Sequence, residues 1–194
     1  MLFKRRHEFK PDKTNSGALN QLYITPKQRR ALMKWFLMAL LLVLSSVVQD
    51  TMLCRLQIFG GRFDLVPAVL LLTCMMLDPE TGSIFSLAAA CFYCFSGSAP
   101  GAYVIAFLTV LGVFFSIVRH CYLRDSFGSA FACAAAALMI YELILFAVGL
   151  FLGYTTLQRL QVYLVTGGLS VAVMPLYYPI IKAISKIGGE TWKE

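Results

Sequence analysis

Runs of apolar residues, broken by short polar or charged segments, organise this chain from residue 31 to residue 181. Ala31 to Gln49 is apolar apart from Lys34, whose stem can reach back toward headgroups, with Trp35 beside it. Asp50 to Asp64 is polar, carries Arg55 and Arg62, and has a turn signal at Gly60-Gly61. Leu65 to Leu77 is apolar and short. Asp78-Pro79-Glu80 ends it, because proline cannot extend a helix and acids prefer water.

From Thr81 to Val118 there is no charged residue. A single helix of that length would overshoot a bilayer at about 1.5 Å per residue. The run Ser96-Gly97-Ser98-Ala99-Pro100-Gly101 favours a turn and divides it. The pattern therefore predicts helices over about 31–49, 65–77, 82–95, 102–118, 127–152 and 160–181. Pro175 and Pro179 are expected to kink the last one. A basic tail (1–30) and a short tail (182–194) flank this region.

Composition agrees. The chain is 59% hydrophobic and 14% charged, whereas soluble domains are about 45–50% apolar and about 25% charged. The fold class expected is an all-α integral membrane protein, a six-helix transmembrane bundle. The second and third segments fall short of the roughly 20 residues of a spanning helix. A re-entrant pair would lower the count to four without moving the other loops to new sides.

The net charge is +7. With the N-terminus inside, cytoplasmic segments hold fourteen Lys and Arg residues, against Arg55, Arg62 and Arg159 outside. Both termini are thus expected in the cytoplasm. The basic tail would attract anionic lipids, and no basic-aromatic pattern points to nucleic acid. The long polar stretch before the first apolar run does not read as a cleavable signal peptide.

Catalytic signals are sparse. No phosphate-binding glycine motif occurs, and His7 and His120 have no partner at metal-ligand spacing. Cys91 and Cys94 have redox spacing but lie in an uncharged helix with no second pair. No enzyme activity, cofactor or metal is therefore expected. Glu142, mid-way along the fifth segment, is a functional candidate by its cost in a bilayer. A polar clamp to another helix is preferred over transport, since no second ionisable group is expected at its depth. Gly149 and Gly153 form G-x-x-x-G, and Gly128, Ala132 and Ala136 repeat at four-residue spacing. Small surfaces like these let helices approach closely, within the chain or onto a partner. The outer loop, with Asp50, Arg55, Arg62 and Asp64, reads as solvated, with weak ion pairs.

Several segments resemble the rod shape-determining MreD family. They are Val48-Gln49-Asp50-Thr51-Met52-Leu53, Ile58-Phe59-Gly60-Gly61-Arg62-Phe63-Asp64-Leu65, Ser96-Gly97-Ser98-Ala99-Pro100-Gly101-Ala102-Tyr103, and Tyr141-Glu142. Phe63 stands where that family often has proline, and Tyr93 about where it has an aspartate, so the chain resembles a divergent member. The resemblance implies a bundle similar to the substrate-binding subunits of energy-coupling-factor transporters. It also implies a scaffold docking an MreC-like single-span protein, and through it MreB filaments and the RodA/class B penicillin-binding synthase. Asp50, Thr51, Arg62 and Asp64 are the family-motif residues of the outer loop, and Tyr141 that of the fifth helix. A vitamin-binding transporter subunit is the competing expectation.

Overall fold

The computed structural model describes residues 26–122 and 126–187. They form six α-helices: α1 (Pro26–Thr51), α2 (Leu65–Met76), α3 (Pro79–Phe95), α4 (Tyr103–Tyr122), α5 (Phe127–Phe151) and α6 (Leu160–Lys186). Single 3-10 turns follow α1 (Leu53–Arg55) and precede α6 (Leu157–Arg159). Expectations for the first 25 residues, for Arg124 and Asp125, and for Lys193 lie outside the described residues.

Four helices, α1, α4, α5 and α6, are long and apolar enough to cross a membrane. This is an all-α membrane protein. The helices run further than the apolar pattern alone marks, because their end turns carry polar residues. Thus α1 takes in Arg29 and Arg30, and α4 takes in Arg119 and His120. α6 continues through Pro175 and Pro179 to Lys186.

α2 is the axis of the bundle. It touches each of the other five helices, and all twelve of its residues are buried. A helix that is apolar all round is buried all round, which is why Leu65-Val66-Pro67-Ala68-Val69-Leu70-Leu71-Leu72 shows no amphipathic stripe. Twelve residues rise only about 18 Å, short of the roughly 30 Å hydrocarbon core.

The loop from Ile58 to Asp64 closes this gap at one end. A two-residue turn joins Ile58 to Gly61 through paired backbone hydrogen bonds of 3.1 and 2.9 Å. Its central residues, Phe59 and Gly60, both have positive φ (52° and 80°). The chain then descends along α6. Gly61 lies so close to Val165 that a Cβ there would sit 2.8 Å from its Cγ1. The Arg62 and Asp64 N–H groups donate to the Thr166 and Ser170 hydroxyls at 3.2 and 2.8 Å. Non-helical backbone is tolerated at membrane depth where protein groups satisfy it in this way. The α1–α2 loop is therefore exposed mainly in its first part. Its final residues pack into the bundle.

α3 and α4 pack closely through small residues. Gly82 and Ser86 on α3 face Gly112 and Ser116 on α4, small residues at four-residue spacing on both sides. A Cβ on Gly112 would sit 2.5 Å from Ser86 Oγ. The Ser86 hydroxyl donates to the Leu108 carbonyl at 3.2 Å, and Ser116 to the Cys74 carbonyl at 3.1 Å.

Candidate functional site

Asp64 enters the bundle as the N-cap of α2, yet its side chain makes no cap hydrogen bond. Gln49, two residues from the end of α1, supplies the cap across the helix boundary. Its Oε1 accepts from the Val66 N–H at 3.0 Å, and its Nε2 donates to Asp64 Oδ1 at 3.4 Å. One amide thus satisfies an otherwise unpaired helix N–H and holds the carboxylate in place.

Glu142 lies at the same level. Ser170 is ten residues into α6 from Leu160, and Glu142 is nine residues back along α5 from Phe151. Each is about 14–15 Å along its helix from the α5–α6 connection. The Asp64 N–H is tied to Ser170, and Glu142 packs against Gly167 one turn earlier on α6, while Tyr93 on α3 and Tyr141 on α5 are buried in the same core. Glu142 is only 2% exposed and Tyr141 is fully enclosed. Neither Glu142 Oε1 nor the Tyr141 hydroxyl has a hydrogen-bond partner among the described residues. Gly167 makes room, since a Cβ there would sit 3.3 Å from Glu142 Cγ and 2.8 Å from Met139 Sδ.

This cluster changes the reading of Glu142. A second ionisable group does stand at its depth, brought there by the descending loop. Nothing local in the sequence marks a loop that turns inward, so Asp64 reads there as a loop residue. Gln49, Tyr93 and Ser170 carry no charge that would mark them as site residues. Only the positions of Gln49 and Tyr93 relative to the family-like motifs offered a signal.

The remaining candidates separate. Asp50 is exposed and accepts from the Ser98 hydroxyl at 3.0 and 3.2 Å, tying the end of α1 to the α3–α4 turn. Thr51 donates to the Val47 carbonyl one turn back. Arg62 is exposed; its backbone N–H is held by Thr166, and its charge acts on Asp64.

Gly149 and Gly153 do not form a helix-packing pair. Gly153 has φ 75° and ends α5. The Tyr154 N–H donates to the Gly149 carbonyl at 2.8 Å and the Gly153 N–H to the Leu150 carbonyl at 3.1 Å. This is the Schellman arrangement, which wants glycine at the left-handed position. Gly149 packs inside the chain, against Thr155 and Tyr163.

Gly128, Ala132 and Ala136 are exposed, with open space around Gly128. The internal face of α5 is instead Ala130, Cys133, Ala134, Ala137 and Leu138. Among the described residues, no group of three or more His, Cys, Asp and Glu side chains is arranged to hold a metal ion.

Comparison with family models, with curated proteins and with solved structures finds no match to this chain.

Proposed function

We propose that this chain is a non-enzymatic scaffold of the bacterial cell-elongation machinery, a divergent protein of the MreD type. It would sit in the plasma membrane with six crossings and both termini in the cytoplasm. One observation carries the reading. The positions through which the sequence resembles that family are spread over almost a hundred residues, yet they converge. Gln49 hydrogen-bonds to Asp64, the Asp64 N–H is held by Ser170, Glu142 packs against Gly167 one turn from Ser170, and Asp50 hydrogen-bonds to Ser98 of the S-G turn. Motif positions matched by chance would have no reason to be neighbours.

The docking surface in this reading is the outward face of α5. Gly128, Ala132 and Ala136 leave a shallow track against which a single-span helix can lie closely. The partner is an MreC-like protein, and docking would position the RodA/class B synthase and MreB filaments. Basic residues of the tail would add attraction to anionic lipid.

The test is co-purification with an MreC-like single-span protein from cells expressing both. Retention of the partner by the wild-type chain, and its loss on Ala132→Leu with Ala136→Leu in a folded protein, is expected. A chain that captures no such partner, and whose depletion leaves cell shape unchanged, would overturn the reading.

A vitamin-binding transporter subunit is favoured by a different observation, the unpartnered oxygens of Glu142 and Tyr141 in the buried cluster. Retention of a vitamin through purification, together with an ATPase pair, would select it.

A further inference from the structure

Between the first turns of α1 and the joint where α2 stops and α3 starts lies a recess of about 140 Å³. Lys34, Trp35 and Met38 line one wall, and Leu77, Asp78 and Thr81 line the other. Lys34 and Trp35 fall near the start of the membrane-crossing stretch Arg29–Thr51, where headgroups meet acyl chains. The walls carry opposite charges that do not neutralise each other. Among the described residues Lys34 and Asp78 form no ion pair, and the Asp78 side chain makes no hydrogen bond to the helix it caps. Both are half-buried, so each charge has given up part of its water without a protein counter-ion. The Thr81 hydroxyl donates to the Asp78 carbonyl at 3.1 Å, which leaves the lone pairs of its oxygen as acceptors. A recess holding one cation and one anion favours a molecule of both signs, because a plain ion meets one repelling group.

We propose that this recess holds the headgroup of a phosphatidylethanolamine, with its phosphate toward Lys34 and its ammonium toward Asp78, Thr81 and Trp35. The space takes on the order of ten water-sized groups, close to the non-hydrogen atom count of phosphoethanolamine. A primary ammonium donates to both the carboxylate and the hydroxyl, whereas the quaternary ammonium of a choline lipid has no N–H to give. The occupant is a lipid, because apolar surface continues from the recess along both walls. Leu41 on α1, and Ala88 and Phe92 on α3, follow Lys34 and Thr81 at helical spacing and are half-buried or exposed. α1 and α3 meet little, both packing on α2, which leaves a groove for an acyl chain between them. Bound there, the lipid ties the start of α1 to the α2–α3 joint.

The test uses the full chain and needs no partner protein, so it stands apart from the scaffold reading. The chain is equilibrated with equal shares of phosphatidylethanolamine, phosphatidylcholine and phosphatidylglycerol, and the lipid retained in mild detergent is identified by native mass spectrometry. The wild type is expected to keep phosphatidylethanolamine at least about fivefold over either of the others. Asp78→Asn removes the partner of the ammonium and leaves Lys34 to the phosphate, so the preference moves toward phosphatidylglycerol. Lys34→Gln loses the retained phosphatidylethanolamine. Thr81→Val weakens the preference for it over the choline lipid, and carries the test if a charge variant does not fold. Free phosphoethanolamine is expected to leave Tm unchanged where the lipid raises it. An equal rise with the free compound would assign the recess to a soluble zwitterion and overturn the lipid reading. Equal retention of the three lipids by the wild type, or an unaltered preference in every variant that folds, would overturn the site itself.

Discussion

The backbone N–H of Asp64 donates to the hydroxyl of Ser170 across 2.8 Å, although the two residues are 106 positions apart. That bond anchors the end of a non-helical segment about 15 Å along α6 from its first residue. It explains how a twelve-residue helix can be the axis of a bundle made of much longer ones. Ser170 also donates to the Thr166 carbonyl at 2.8 Å, so its hydroxyl is fixed in orientation by its own helix.

Ser170→Ala leaves the Asp64 N–H without its acceptor in a buried setting. A loss of about 1–3 kcal/mol is expected, the usual cost of an unpaired buried polar group. Thr166→Val removes the analogous acceptor for Arg62, where solvent can substitute, and should cost less. Thermal melts of the two variants in one detergent check the order, and equal losses would contradict the buried anchor.

Gln49→Leu removes both the cap on Val66 and the hold on Asp64. A loss of about 1–3 kcal/mol is expected. Asp50→Asn, one residue on but exposed and paired only with hydroxyls, should change stability by less than about 1 kcal/mol. The contrast isolates the inward-facing amide from the general effect of altering this end of α1.

Gly112 and Gly128 should respond oppositely to the same change. Gly112→Leu drives a side chain into Ser86 and is expected to cost about 3 kcal/mol or abolish folding. Gly128→Leu meets open space and should leave the melting temperature of the isolated protein near that of the wild type. Size-exclusion profiles with thermal melts separate the two.

Phe59 occupies the first central position of a two-residue turn at φ 52°, with its side chain 85% exposed. Positive φ is strained for a bulky residue and natural for asparagine. Phe59→Asn is expected to stabilise the isolated chain by about 1 kcal/mol. Thermal melts of the wild type and Phe59→Asn in one detergent check the gain.

The proposed orientation places Phe59 outside and the exposed Cys121, near the end of α4, inside. A membrane-impermeant thiol reagent should then label a Phe59→Cys variant in intact cells with an opened outer barrier. Cys121 should become reactive only after the plasma membrane is permeabilised. Labelling in the reverse order would invert the topology.

The apolar pattern determined where the helices lie, because each long helix must present apolar surface along its whole length to both core and lipid. Six helices, their order and the two turns at 96–102 and 152–159 are all legible in residues that favour or forbid helix. Local signals could not say which small residues pack. Gly153 reads as half of a packing motif, but its role is a left-handed helix end. The real close contact, Gly82 and Ser86 against Gly112 and Ser116, depends on how α3 rotates against α4.

The candidate cluster belongs wholly to the tertiary structure. Glu142 is visible in sequence as a carboxylate in an apolar run, but Asp64 joins it only because the loop turns inward along α6. Hydroxyls at Thr166 and Ser170, a hundred residues away, are what make that turn affordable in backbone hydrogen bonds. Composition and periodicity act through neighbours in the chain. The meeting of Asp64 with Glu142 is set by packing between elements, and no local pattern encodes it.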